Sequence, residues 1–293
     1  MEIRKAERKK AKLRLGIAAP SGAGKTYSSL LLAFGLGGKV GLIDTEHGSG
    51  DLYADLGDYD IIGLSAPYTV NKYREAIKAF EDAGYSTIIV DSLSHAWAGD
   101  GGLLDKQGKA ADKSGNSWQA WRQVTPDHNA LVDAMLQSRC HIIATMRSKT
   151  EYVQEKDERT GKNIVRKVGL APVMRDGIEY EFTVMLDVDM NHVATPSKDR
   201  TRLFDGQYFK ISDATGKELL QWLETGAEPP KVDEKLLADH KAAIEAADSL
   251  DSLKTAYTAA YRAAEAIKDS HAMAIFSDAK DARKEQLTVK ESA

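Results

Sequence analysis

The stretch AAPSGAGKTYSSLLL, residues 18–32, sets two glycines, a lysine and a threonine between a short apolar run and a helical pattern. Gly22 and Gly24 permit a tight loop whose backbone N–H groups converge at the positive end of a helix, where phosphate binds. In that setting Lys25 reaches the β and γ phosphates of a nucleoside triphosphate, and the Thr26 hydroxyl ligates Mg2+. Ser21, Gly22, Ala23, Gly24, Lys25, Thr26 and Tyr27 are therefore the expected nucleotide-binding stretch. Ala19 stands where the pattern usually has its first glycine, a position that closes the loop without touching phosphate. Farther on, STIIVDSLSH delivers Asp91 at the end of a short apolar run, placed to hold the same magnesium ion through water. The guanine-reading tetrad Asn/Thr-Lys-x-Asp is missing, so ATP is the expected nucleotide.

Hydrolysis needs a group that orients and deprotonates water in line with the γ-phosphate, usually a carboxylate. The residue after Asp91 is Ser92, so the base has to come from another strand end. GLIDTEHGSG, residues 41–50, supplies one: Glu46 follows an apolar strand expected to lie near the loop. Asp44 reads as structural or outer-shell, and His47 either orients Glu46 or faces solvent. After CHIIA, Thr145 sits at the end of another buried strand, where it or Arg147 could sense the terminal phosphate.

Those side chains require a scaffold of strands. Apolar runs at 13–19, 39–44, 59–65, 86–91, 140–146 and 182–188 alternate with helical patterns at 24–36, 69–84 and 117–138, the last containing Pro126. Such alternation argues an α/β fold with a mainly parallel sheet flanked by helices. Beyond Pro229-Pro230 the chain is Ala-rich, and Ile244, Leu250, Leu253, Tyr257 and Tyr261 recur at helical spacing, with breaks near 248–251 and 269–271. The expected domains are a basic N-terminal helix (1–12), an ATPase core (13–228) and a small α-helical appendage (229–293) of two or three helices. Over 293 residues the formal charge is -4, so any surface for a polyanion must be local. The single cysteine, Cys140, excludes an internal disulfide, and no Cys-x-x-Cys or His-Glu-x-x-His run offers a zinc site, which suits a reducing cytoplasm. No run approaches the roughly eighteen apolar residues of a membrane span.

The set APSGAGKT, IDTEHGSG, IIVDS and TPSKDR resembles the RecA-type recombinases and their relatives over roughly residues 12–225. The resemblance implies a RecA-like P-loop ATPase core. In ATMRSK the Gln or Asn common near the sensor position of that group is absent. Lys198 and Arg200, two apart in an extended segment, are similar to the fingers by which such ATPases reach a neighbouring subunit's γ-phosphate, which implies a homo-oligomer, ring or filament; an exposed basic turn would read the same way. Two segments fall where the group carries DNA-binding loops. One is a long Gly-rich loop at 93–118 with Lys106, Lys109 and Lys113 between Trp97 and Trp118; the other is a β-hairpin turning at 159–163 with Arg147, Lys149, Lys162, Arg166, Lys167 and Arg175. Basic side chains there would follow a phosphate backbone while Tyr152 or Trp97 stacks a base. A compact core with a helical tail is similar to the phage-encoded single-strand annealing ATPases. That implies an ATP-dependent protein that binds single-stranded DNA and promotes annealing or strand exchange in a bacterial host's cytoplasm, with a single-strand DNA-binding protein as partner. A hexameric helicase or DNA motor, or an ATP-driven switch that binds protein, are the competing readings.

Overall fold

The structure, a computed structural model, describes residues 5–156, 163–228 and 231–291. Strand β1 (Arg14–Ala19) runs into helix α1 (Lys25–Leu36); β2 (Val40–Asp44), a 3-10 turn (Ser49–Tyr53) and β3 (Asp60–Gly63) follow, and α2 (Val70–Asp82) leads to β4 (Thr87–Asp91). Helices α3 (Leu93–Ala98), α4 (Leu103–Ser114) and α5 (Ser117–Gln137) precede β5 (His141–Lys156), which pairs antiparallel with β6 (Asn163–Pro172). A second 3-10 turn (Ile178–Glu181), β7 (Val184–Val188), β8 (Ala194–Asp199) and α6 (Asp213–Leu223) complete this part of the chain.

The strand order is β3-β2-β4-β5-β1-β7-β8, with β8 antiparallel to β7 and the other pairs along that path parallel. Alternating side chains divide between two faces, and both are covered. Leu15, Ile17, Leu42, Ile89 and Ile143 pack with residues of α1 and α6, whereas Ile43, Ile88, Val90 and Ile142 pack with residues of α2 and α5. Helix α2 shows why its sequence is helical: Val70, Tyr73, Ile77 and Phe80 fall on one buried stripe. Small residues bring α1 close to α6, since a Cβ on Gly35 would lie 2.0 Å from the Asp213 carbonyl oxygen. The fold is α/β, a mainly parallel sheet flanked by helices, as the alternation of strands and helices predicts.

At the opposite end of the sheet from the strand carboxyl ends, Arg14 is buried and ties β1 to the turn before β5. Its guanidinium donates to the carbonyls of Leu13 (2.8 Å), Leu136 (3.0 Å from Nη2) and Cys140 (2.7 Å) and to that of Ser138. Burial pulls its pKa down to about 10, which leaves it charged.

Two expectations change. The Gly-rich stretch expected as a long loop forms α3, α4 and the start of α5. Gly115, at φ 65, ends α4, and the Asn116 side chain caps α5 by accepting from Trp118 N and Gln119 N. Lys109 pairs with Asp105 one turn away on α4 and Lys106 with Asp127, so two of the three lysines serve helix packing. The basic N-terminal helix is also not found: residues 5–13 are non-helical, and Lys10 N donates to Ala227 O at 3.0 Å while Ala227 N donates to Arg8 O at 3.0 Å. Like charges at Lys5 and Lys9 disfavour a helical turn there, whereas the backbone at Ala227 offers main-chain partners. The hairpin exists as β5 and β6, but its turn, with Lys162, lies outside the described residues.

The chain divides into two compact units, Lys12–Glu224 and Met1–Ala11 together with Thr225–Ala293. In the second, α7 (Glu234–Glu245), α8 (Leu250–Ile267) and α9 (Ser270–Glu291) bury Ile244, Leu253, Ala260, Ala264 and Phe276 among themselves. Asp233 and Ser249 cap the first two. Among the described residues no helix is long and apolar enough to cross a membrane.

His141, at the start of β5, gives the fold a pH signature. Burial, with Lys12 and Arg14 nearby, pushes its imidazole down to about 3, and its neutral Nδ1 accepts the Leu13 N–H at 3.0 Å. The unfolded chain takes up that proton below about pH 6.5, so this contribution is complete above pH 6.5 and is lost as pH falls toward 3. Urea unfolding followed against pH should show stability declining through that window by a few kcal/mol, and His141→Gln, which retains an acceptor, should flatten the slope. Identical slopes in the two proteins would refute the assignment.

Candidate functional site

The carboxyl ends of β1, β2, β4 and β5 open onto a cavity of about 1050 Å3 lined by Ser21, Gly22, Gly24, Lys25, Thr26, Tyr27, Glu46, Asp91 and Arg147, among others. Gly22 and Gly24 both have φ +82, a conformation that strains any residue with a Cβ, so the loop between β1 and α1 requires glycine at both. Lys25 Nζ donates to the carbonyls of Ala19 (3.3 Å) and Pro20 (3.1 Å) at the loop's start. Burial pulls its ammonium below the ordinary value, against the opposing pull of Asp91 and Glu46.

Sheet register sets the acid groups. Asp44 on β2 lies beside Asp91 on β4, and Val90 lies beside Ala144 on β5. The Asp91 carboxylate, 1 % exposed, accepts from Thr26 Oγ1 at 2.5 Å on one oxygen and from Thr145 Oγ1 at 2.5 Å on the other. Burial nonetheless raises its pKa. Thr145 is fully buried and directs its hydroxyl to Asp91, while Arg147, two residues on, opens onto the cavity.

Glu46 lies across the same cavity. Arg147 holds it bidentately, Nε donating to Oε1 at 3.0 Å and Nη2 to Oε2. Partial burial acts to raise the Glu46 carboxyl, but the hydrogen bonds and charge of Arg147 outweigh it and hold the pKa below the ordinary value. Asp44 fixes the chain around it, accepting from Glu46 N at 2.6 Å and from Gly50 N at 3.1 Å. His47 is exposed. Thr45 knots β2 to the residues after β4: its hydroxyl accepts from Ser92 N at 2.8 Å and lies 2.7 Å from His95 Nδ1.

Lys198 and Arg200 do not line this cavity. They share one face, as their spacing predicts, at the β8 edge of the sheet, where Lys198 Nζ donates to Glu179 O (2.8 Å) and Tyr180 O (2.7 Å) and Arg200 Nη2 to Tyr180 O (3.3 Å). Several lining residues have no sequence signal. His192 approaches from the turn between β7 and β8, its Nδ1 3.1 Å from the Ala23 carbonyl; Tyr53 stands edge-on to Tyr27 with ring centroids 6.1 Å apart; Lys210 precedes α6. All three lie outside the strands and α-helices, where position depends on tertiary packing.

A glycine-formed phosphate loop, the Thr26–Asp91 pair and a second carboxylate at the carboxyl edge of this parallel sheet make up a nucleotide site of the P-loop kind. The chain belongs to the AAA domain family, whose profile matches residues 11–218. No curated protein matches it in sequence. Among solved structures it is similar to the crystal structure of the RadB recombinase, with 19% identity, covering 71% of this chain and 90% of that one at a TM-score of 0.35.

Because Asp91 is so enclosed, each of its two hydroxyl donors should matter to stability. Thr145→Val removes one at nearly constant volume and leaves a buried carboxylate short of a partner, a loss of about 1–3 kcal/mol. Urea denaturation near neutral pH should register it, and a variant as stable as the parent would show that the hydroxyl contributes nothing.

Proposed function

We propose that this protein binds and hydrolyses ATP with Mg2+, binds single-stranded DNA, and uses the cycle to promote annealing or strand exchange in DNA recombination. One observation carries the reading: β5 places Thr145 on Asp91 and Arg147 on Glu46, then continues without a break into the β5–β6 hairpin, so one strand joins the ATP cavity to a candidate DNA element.

In this reading Ser21, Gly22, Ala23 and Gly24 supply the backbone cradle, Lys25 meets the β and γ phosphates, and Tyr27 borders the nucleotide. Thr26 Oγ1 and the Asp91 carboxylate, already 2.5 Å apart, offer the hard oxygens that suit magnesium. Among the described residues no cluster of three metal-ligating side chains occurs, and a magnesium ion that keeps water and takes phosphate oxygens needs only this pair. When bound, the ion draws negative charge from the transferring phosphoryl group.

Glu46, kept ionised by Arg147, orients water and accepts its proton as the oxygen attacks the γ-phosphorus and the bond to the β-phosphate oxygen breaks, yielding ADP and phosphate. Arg147 occupies both Glu46 oxygens, so one must be released for that step. DNA seated on the hairpin acts through β5 on Arg147, which is why DNA stimulates turnover; Thr145 and Arg147 together relay the state of the γ-phosphate. Lys198 on the edge strand β8 and Arg200 just after it, neither lining their own cavity, serve a neighbouring subunit's nucleotide in a ring or filament. A single-strand DNA-binding protein supplies the coated substrate.

Glu46→Gln should retain nucleotide binding, followed with a fluorescent ATP analogue, while turnover falls about 10²–10⁴-fold. The parent protein's ATPase should rise with single-stranded DNA and lose that rise steeply with salt; a rate indifferent to DNA would remove the proposed coupling. If fingers act between subunits, mixing Arg200→Ala with Glu46→Gln protein should restore part of the activity at intermediate ratios. Mixtures that never exceed the sum of their parts would confine Arg200 to a structural role.

A further inference from the structure

A second concave surface lies beside the hairpin root. It is a groove of about 830 Å3 that includes Trp97 from α3, Trp118, Trp121 and Arg122 from α5, and Arg175 and Asp176 from the segment after β6. Trp97 and Trp121 are stacked, with ring centroids 5.8 Å apart and planes 21° from parallel. The Arg175 guanidinium lies 5.7 Å from the Trp121 ring centroid. Trp118 is 82 % exposed. Trp118, Trp121 and Arg122 stand at i, i+3 and i+4 on α5, so one helix face presents two indole rings and a cation together.

The chemistry of this groove is specific. Flat π surfaces with two guanidiniums and one carboxylate, that of Asp176, suit a ligand of planar rings joined by negative groups. Its place in the chain agrees: α3 begins shortly after Asp91, and Arg175 follows Pro172, the last residue of β6. The groove therefore joins the stretch after β4 to the hairpin proposed above as a DNA element, while Lys106 and Lys109 of that stretch are ion-paired within the protein.

We propose that the groove is a base-stacking subsite for single-stranded DNA, with the exposed Trp118 receiving bases and Arg122 and Arg175 their phosphates. The proposal rests on the single-stranded DNA reading above and gives it a location: the tryptophan face of α5, adjoining the hairpin, supplies the stacking. Because every base has a π face, such a subsite binds with little sequence preference.

Three of the four tryptophans of the chain line the groove, so the intrinsic fluorescence of the full-length protein reports on it. Titration with an oligo-dT strand should quench that emission. Trp118→Ala removes an exposed ring and should weaken oligo-dT binding roughly 5- to 150-fold. It should leave binding of an abasic strand of equal length and the DNA-independent ATPase unchanged. Arg122→Ala should weaken both strands and lower the salt dependence of binding. A parent protein that binds oligo-dT while Trp118→Ala binds it equally well would overturn the groove and leave the DNA reading standing. A parent protein that binds no oligo-dT would overturn the DNA reading itself, and a fluorescence change produced only by an acidic aromatic peptide would reassign the groove to protein docking.

Discussion

A carboxylate taken out of water at the end of β4 is the constraint on which the site depends. Burial disfavours the charged form of Asp91 and raises its pKa, and two hydroxyls, from Thr26 and Thr145, act against that cost. One hydroxyl belongs to the first turn of the helix after the phosphate loop, and the other to the neighbouring strand. Asp91 therefore joins β4, α1 and β5 at one point. A slip of either strand by one residue would carry its side chains to the opposite face and leave the carboxylate without these donors, so the buried charge also specifies register. The apolar alternation of Ile88, Ile89 and Val90 makes the same demand from within the core.

Around that fixed point the charges form a graded set. Asp91 is enclosed and has its pKa raised; Glu46, partly buried, has its pKa lowered by a bidentate guanidinium; Lys25 lies within the electrostatic reach of both and has its pKa lowered by burial. Two carboxylates facing one cavity thus have pKa values pushed in opposite directions by their surroundings, the separation that assigns different tasks to like groups. Asp44 serves the backbone instead. Its oxygens accept backbone N–H groups and shape the turn that presents Glu46, which explains why a carboxylate precedes Glu46 by two residues.

What the sequence reveals and what it conceals follow from the range of the forces involved. Strands such as TIIVD and VGLID are legible because burial on both faces requires near-continuous apolar runs, and the phosphate loop is legible because its backbone geometry requires Gly22 and Gly24. The stretch 93–118 misleads because Gly99, Gly101, Gly102, Gly108 and Gly115 suggest a loop, although Gly115 ends a helix and Gly108 is carried within one. At the amino terminus, the pattern of Lys and Arg suggests a helix, but the backbone finds partners near Ala227, more than two hundred residues away in sequence. The Arg147–Glu46 pair spans 101 residues and His192–Ala23 spans 169, so neither contact has a local signature.

The same two strands feed both concave surfaces, and this bears on how they could communicate. From β4 the chain passes Asp91 and enters α3 with Trp97; from β5 it passes Thr145 and Arg147, traverses the hairpin and reaches Arg175. Spatial continuity alone does not transmit a signal, which requires an element with two arrangements. Arg147 meets that condition chemically. Its guanidinium fork has a carboxylate partner in Glu46, and a phosphate oxygen in the cavity would compete for the same donors. Its backbone N–H is meanwhile fixed to Ser94 Oγ at 2.9 Å, on α3, the helix that carries Trp97. A side chain with two possible anionic partners, mounted on a backbone anchored to the aromatic groove's own helix, joins the glycine-loop cavity physically to that groove.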